Sequence, residues 1–214
     1  MQKKYNLHIM KKIVIAVLLM FGFSTTTFAQ AKGDVELGFN VGYNNSTIAT
    51  SDLNADSGNG INLGFAAEYY FSDRWGIKGK LIYDQKGWDN DFITDINSGF
   101  TYKTNYNLNY LTIPVMANWH FAKKRNWYLN FGPYVGFLMN AEDTRFGTDV
   151  KYVFKSTDFG LAFGIGVKIP VSDKLKLTLE YDAQSGLSNV FNNSDFTVTN
   201  SRSSFNVGVN FIMK

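Results

Sequence analysis

The chain contains no cysteine. That absence excludes disulfide frameworks, thiolate metal sites, thiol nucleophiles and lipid attachment through an N-terminal cysteine. Proline is almost as scarce, with 3 residues against 19 glycines, which suits close-packed strands and excludes a proline-rich linker. Charge is sparse too. Only 18% of the 214 residues are charged, beside 45% apolar and 16% aromatic, and the length fits one domain. No apolar run approaches the roughly 20 residues that a membrane-spanning helix needs.

The longest such run, residues 13–23, has eleven apolar residues and glycines and sits near the N-terminus. Lys3, Lys4, Lys11 and Lys12 precede it, and small and polar residues come after it, ending Thr27-Phe28-Ala29. This is the plan of a secretory signal over residues 1–29, with cleavage before Gln30. Met10 is an alternative start, because residues 10–29 make a complete signal by themselves. Cleavage removes four lysines and no acids, so the formal charge of +3 becomes 17 basic against 18 acidic residues. The mature chain, residues 30–214, therefore carries no electrostatic argument for nucleic acid.

Beyond residue 30 no helical stripe appears; the chain alternates. Over residues 35–44 the odd positions are Val35, Leu37, Phe39, Val41 and Tyr43, and the even ones are Glu36, Gly38, Asn40, Gly42 and Asn44. The same parity recurs in 61–71, 75–86, 110–121, 128–140, 158–169, 174–184 and 204–213. Such segments have the length that a tilted strand needs to cross a bilayer. Their charges all fall on the even side: Glu36, Glu68, Lys78, Lys80, Asp84, Lys86, Asp158, Lys168, Lys176, Glu180 and Asp182.

Alternation alone fits a soluble β-sandwich equally well. Three features favour an all-β, eight-stranded antiparallel up-and-down transmembrane β-barrel. Short connections (72–74, 122–126, 171–173) take turns with long ones (45–60, 87–109, 141–157, 185–203), as outer-membrane barrels require. Aromatic residues sit at strand ends, with Phe71, Trp75, Trp119, Phe121 and Trp127 by the short turns and Tyr43, Tyr83, Phe137 and Tyr181 opposite. The even side is also rich in glycine, which suits an interior just wide enough for side chains. The final segment, Asn206-x-Gly208-x-x-Phe211-x-Met213, resembles the C-terminal insertion signal of bacterial outer-membrane proteins. Barrel-insertion machinery is thus an expected partner through that strand.

Two further segments carry a family resemblance. Tyr83-Asp84-Gln85-Lys86-Gly87 and Leu108-Asn109-Tyr110-Leu111-Thr112-Ile113-Pro114 resemble signatures of the PorT-like outer-membrane β-barrel family. Gly132-Pro133-Tyr134-Val135-Gly136, Asp158-Phe159-Gly160-Leu161 and Tyr181 with Gly186-Leu187 are similar to its later segments. The resemblance covers roughly residues 33–214, and the terminal Phe211-Ile212-Met213-Lys214 departs from the more usual terminal aromatic. It implies an eight-stranded barrel of a Bacteroidota-type bacterium. Most members have no assigned activity, the namesake is linked to a secretion apparatus, and the family offers no catalytic residues to carry over.

Chemistry-bearing constellations are few. Outer-membrane hydrolases and acyltransferases need a histidine near Ser, Asp or Glu at the outer rim. The one histidine of the mature chain, His120, adjoins a short turn and is expected at the polar rim of the opposite end. Asp89-Asn90-Asp91 with Asp95 is close to a calcium loop, but Ile93 and Thr94 stand where an oxygen ligand and the turn glycine belong. Eight strands leave a filled interior rather than a channel, so the luminal charges are expected to pair, with Glu68 opposite Lys78. No catalytic, cofactor-binding or metal residue is therefore assigned, and no cofactor is expected. The long loops hold Asp52, Asp56, Asp89, Asp91, Asp95 and Asp195 among Asn, Ser and Thr, and Lys123-Lys124-Arg125 lies in a short turn. The expectation is a non-enzymatic scaffold in the cell outer membrane, with periplasmic termini. Its partners would be outer-membrane lipid, lipopolysaccharide and a protein bound through the loops, or it would support envelope assembly and secretion. A narrow solute conduit is the alternative, and an outer-membrane enzyme comes third.

Overall fold

Surrounded by hydrocarbon, strands with one polar and one apolar face must bury the polar side, and a closed ring does this without leaving an edge. In the computed structural model, which describes residues 31–49, 55–95, 97–192 and 197–213, eight strands form that ring. They are β1 (Val35–Ala49), β2 (Asp56–Tyr70), β3 (Trp75–Thr94), β4 (Thr101–Phe121), β5 (Trp127–Asp143), β6 (Thr157–Pro170), β7 (Leu175–Gly186) and β8 (Thr199–Met213). Each pairs antiparallel with its chain neighbours, and β1 closes on β8 from Val35↔Met213 to Ala49↔Thr199. The expected signal, residues 1–29, lies outside the described residues, as do Asp52 and Asp195.

Across the middle of every strand odd residues face out, and together they form an apolar band. On β1 it runs through Phe39, Val41 and Tyr43, on β2 through Phe65, Leu63 and Ile61, and on β3 through Ile77, Leu81 and Tyr83, all exposed. Beyond it the outward residues turn polar: Asn45, Asn59, Gln85, Asn107, Ser185 and Ser203. At the short-turn end Trp75 and Trp119 lie 6.2 Å apart between ring centroids, and Phe121 adjoins Trp119 at 5.3 Å and Trp127 at 6.4 Å. A band of this kind between two aromatic rings is what roughly 25 Å of hydrocarbon selects.

The long connections need correcting. The sequence pattern predicts a loop over residues 87–109, yet most of them continue the ladder, from Asp91↔Thr104 to Thr94↔Thr101. The physical reason is a bulge. Gly87 (φ 149°) and Asn90 (φ 64°) take left-handed backbone, the register shifts between Trp88 and Asp91, and the alternation resumes in opposite phase. Gly87 is required there, since a Cβ would sit 2.0 Å from the Tyr106 carbonyl oxygen. Likewise β1 and β2 extend into 45–60, and β8 begins at Thr199 rather than 204.

Inside, glycines face large side chains. A methyl at Gly166 would lie 2.4 Å from the Tyr128 hydroxyl, and one at Gly42 would lie 2.1 Å from Asn206 Oδ1. Gly132 meets backbone instead, with its Cβ position 2.1 Å from the Val115 carbonyl oxygen and 2.8 Å from Met116 Cα. Backbone cannot swing aside as a side chain does. Gly132→Ala is therefore expected to cost about 1–3 kcal/mol, read as a lowered urea midpoint for the barrel refolded in lipid vesicles.

Candidate functional site

The even faces converge on a lumen filled with polar side chains. Nearest the short turns, Glu36 pairs with Lys176 at 2.9 Å and with Lys168, which reaches Glu68 at 2.7 Å and the Tyr70 hydroxyl at 2.8 Å. One layer up, Glu180 pairs with Lys78 at 2.7 Å and with Lys80, and accepts from the Tyr128 hydroxyl at 2.6 Å and Asn130 Nδ2 at 3.0 Å. Above that, Arg202 bridges Asp182 and Asp84, the latter at 3.1 Å. Highest, Lys86 meets Asp158 at 3.1 Å between the rings of Tyr110 (5.0 Å) and Tyr134 (4.9 Å). All these groups are buried, and buried charge persists only when paired. The space left beside Lys78, Lys80 and Glu180 is a cavity of about 20 Å3, enough for about one water.

Two expectations about this interior change. Glu68 and Lys78 do lie opposite each other in the register, but they do not form the expected pair. Lys78 turns across the barrel to Glu180, while Glu68 takes Lys168 and His120 Nε2, the last at 2.7 Å. His120 is not at a polar rim either. It is fully buried, with Tyr70 and Tyr128 at centroid distances of 5.1 and 5.7 Å and Nδ1 3.3 Å from the Arg125 carbonyl oxygen. The closed ring leaves no exposed position for an even-numbered residue one place inside the strand end.

Above the ionic layers the lumen becomes apolar. Trp88, Leu108, Tyr110, Leu138, Phe154 and Val198 belong to one buried cluster, which the segments 150–156 and 187–192, together with Val198, enter from the long connections. These two segments are stitched to each other, with Phe154 paired to Phe191 and the Lys155 amide donating to the Val190 carbonyl at 2.7 Å. Trp88 packs on Tyr106, Phe154 and Phe191 at 5.3, 5.8 and 6.1 Å. Charge below and apolar packing above together fill the barrel.

What projects past this plug is the β3–β4 hairpin and the turn after β5. Asp143 fixes that turn, accepting from the amides of Arg145 (3.0 Å), Phe146 (2.8 Å) and Thr148 (2.8 Å). Burial opposes its ionisation, but those amides prevail and hold its carboxyl below the ordinary value of 3.8. A depressed folded value means that this contribution is present above the unfolded value and is lost as pH falls through the folded one. The protection factors of the Arg145, Phe146 and Thr148 amides are expected to fall below about pH 4, with those of strand amides unchanged. Turn amides that stay protected in that range would remove Asp143 as the anchor.

The other loop acids have local partners. Asp91 accepts from Trp88 Nε1 at 2.6 Å, Asp95 from Ser98 Oγ at 2.7 Å and Asp56 from Asn90 Nδ2 at 2.9 Å. Asp95 is held below the ordinary carboxylate value by its hydrogen bonds from Ser98 and the Asn97 amide. Asp89, Asp91 and Asp95 are thus spread along a strand and its turn, not gathered round a point.

A family model described as outer membrane protein beta-barrel domain matches residues 28–192. The chain belongs to that family. Solved structures of the same fold include OprG from Pseudomonas aeruginosa, at 12% identity and TM-score 0.56, covering 87% of this chain and 98% of that one. Neisserial surface protein A is 16% identical with TM-score 0.53, covering 84% and 99%. The outer membrane protein AlkL is 11% identical with TM-score 0.50, covering 90% and 95%. No curated protein matches the chain in sequence. The outer-membrane setting accounts for the apolar band, which would be an aggregation surface in water.

Among the described residues, one luminal charge escaped the sequence reading. Arg202 precedes the apparent start of the last strand, yet in this outer-membrane barrel it completes the balance. Among the described residues, Glu36, Glu68, Asp84, Asp158, Glu180 and Asp182 face Lys78, Lys80, Lys86, Lys168, Lys176 and Arg202 in the lumen, six carboxylates against six cations. Its sequence signal was its even number, continuous with Ser204, Asn206 and Gly208.

Proposed function

We propose that this outer-membrane barrel is a non-enzymatic scaffold, PorT-like in kind, whose long-loop end faces outward and captures a partner or supports envelope assembly and secretion. On this reading both termini and the short turns are periplasmic. Outer-membrane lipid and lipopolysaccharide surround the apolar band, and insertion machinery engages β8. The observation that carries the proposal is the double seal of the lumen, ionic below and apolar above, beneath a hairpin held rigidly in the ladder. A conduit would have to displace packed Trp88 and Phe154 as well as break the ion pairs. A rigid base with exposed connecting segments is the usual place for recognition.

Joining Asp91 to Thr104 through an Asn-Gly turn tests it, because that pair is already in register. The shortened barrel is expected to insert and to keep its heat-dependent gel shift, while partner crosslinking in the native host disappears. Solute flux in proteoliposomes that survives this change and responds to Lys80→Gln would replace the scaffold with the conduit.

A further inference from the structure

Lys103 of β4 and Arg145 of the turn after β5 open onto one cleft at the long-loop end, with a volume of about 450 Å3. That lies within the roughly 300–1,000 Å3 typical of small-ligand sites. Asp89, Asn90, Asn105 and Thr144 also line it. Its two halves are tied together, since the Thr144 amide donates to the Asn105 carbonyl at 2.9 Å and the Asn105 amide to Thr144 Oγ1 at 3.2 Å. Arg145 is fixed from below by Asp143, and its guanidinium lies over the Tyr102 ring at 5.3 Å. Phe146 meets the same ring at 5.5 Å, edge on. The cleft is therefore formed before anything binds, and preorganisation reduces the cost of binding.

Its charge is what sets it apart from the lumen. Every luminal lysine meets a carboxylate, but among the described residues neither Lys103 nor Arg145 does. Lys103 Nζ donates only to Asn90 Oδ1 at 2.9 Å, and the planar face of Arg145 rests on an aromatic ring. Two cations without carboxylate partners, set in a cleft of amides and hydroxyls with Asp89 to accept from hydroxyl groups, match a sugar that carries an acid group. An arginine takes a carboxylate or phosphate through two parallel hydrogen bonds.

We propose that this cleft binds an acidic saccharide, with Arg145 and Lys103 on its carboxylate or phosphate and Asp89, Asn90, Asn105 and Thr144 on its hydroxyls. The inference rests on the outward orientation of the long-loop end and adds the ligand class to it. Two sources share this chemistry, a uronic-acid glycan from outside and the phosphorylated core of lipopolysaccharide in the same membrane.

The test is calorimetric titration of the full barrel in nanodiscs with two pairs of probes. One pair is a glucuronic-acid tetrasaccharide and its carboxyl-reduced form; the other is the host's lipopolysaccharide core oligosaccharide before and after dephosphorylation. At least one acidic probe is expected to bind at least about tenfold more tightly than its carboxyl-reduced or dephosphorylated counterpart, and the one that does identifies the source. Lys103→Gln with Arg145→Gln should remove that preference, whereas Lys155→Gln at the same end should not. Both variants are checked for the heat-dependent gel shift, so that lost binding is not mistaken for lost folding. Equal binding of both members in each pair, no binding of either acidic probe, or a preference that survives the double change would overturn the proposal. Orientation is read separately. Thr101→Cys, in a chain without other cysteines, should react with an impermeant maleimide on intact cells. Labelling without acid preference sinks the cleft and leaves the orientation standing; acid preference without labelling supports the cleft and sinks the orientation.

Discussion

Glu180→Ala is expected to destabilise the folded barrel by about 3–5 kcal/mol, the cost of leaving a buried charge without its partner. Four donors converge on this carboxylate: Lys78, Lys80, Tyr128 and Asn130. Lys80 keeps Asp182 at 3.5 Å, but Lys78 keeps only the face of the Tyr128 ring, at 4.8 Å. Urea unfolding from lipid vesicles, followed by tryptophan fluorescence, measures the loss. The pair Glu180→Leu with Lys78→Met should recover part of it, since removing both charges removes the uncompensated one. A loss under about 1 kcal/mol would mean that the network is dispensable and that closure of the strands suffices.

The contrast between Glu180 and Arg202 marks how far the sequence could be read. Inside the membrane an outward residue must be apolar, so Glu180 lies visibly between Leu179 and Tyr181, and its inward direction follows from parity. Arg202 lies between Ser201 and Ser203, just past the band, where the outward face meets no hydrocarbon and nothing enforces alternation. Trp88–Thr94 was opaque for the same reason, compounded by the bulge that inverts its phase. Ion pairing was legible only as a class. Which lysine meets which acid depends on contacts across the ring, such as Lys78 to Glu180 or Lys168 to Glu68, and no local spacing encodes them. The apolar plug did leave a trace, since Val150, Val153, Phe154, Val190 and Phe191 are an unusual concentration of apolar residues for exposed connections. Such residues in a loop ask for something to pack against, and the open end of the barrel was the only place available. For the loop-end cleft no trace was available: Lys103 and Arg145 are 42 residues apart, and they become neighbours through the tie of Asn105 to Thr144 and of the Arg145 amide to Thr104 Oγ1.

Arginine on the outer face should separate the two environments cleanly. Phe163→Arg is expected to cost about 2–4 kcal/mol, the depth-dependent cost of a lipid-facing cation near the bilayer midplane. Phe163 is half exposed in the middle of β6, directly opposite the apolar Phe131 on β5 and Ala183 on β7. Leu81 and Val115 occupy equivalent positions on β3 and β4 and should respond alike. The adjacent residue provides the contrast. Ala162 is buried against Met116 and Tyr134, so Ala162→Arg acts through crowding and a surplus luminal cation, and its cost should not depend on bilayer thickness. The outward variants should depend on it, because a thinner bilayer brings headgroups and water within reach of the guanidinium. Unfolding measured in short-chain and long-chain phosphatidylcholine vesicles reads this difference directly. Indifference to arginine at Phe163, Leu81 and Val115 alike would reverse the two faces, and with them the ring itself, because only the closed barrel puts the charged side of every strand inside.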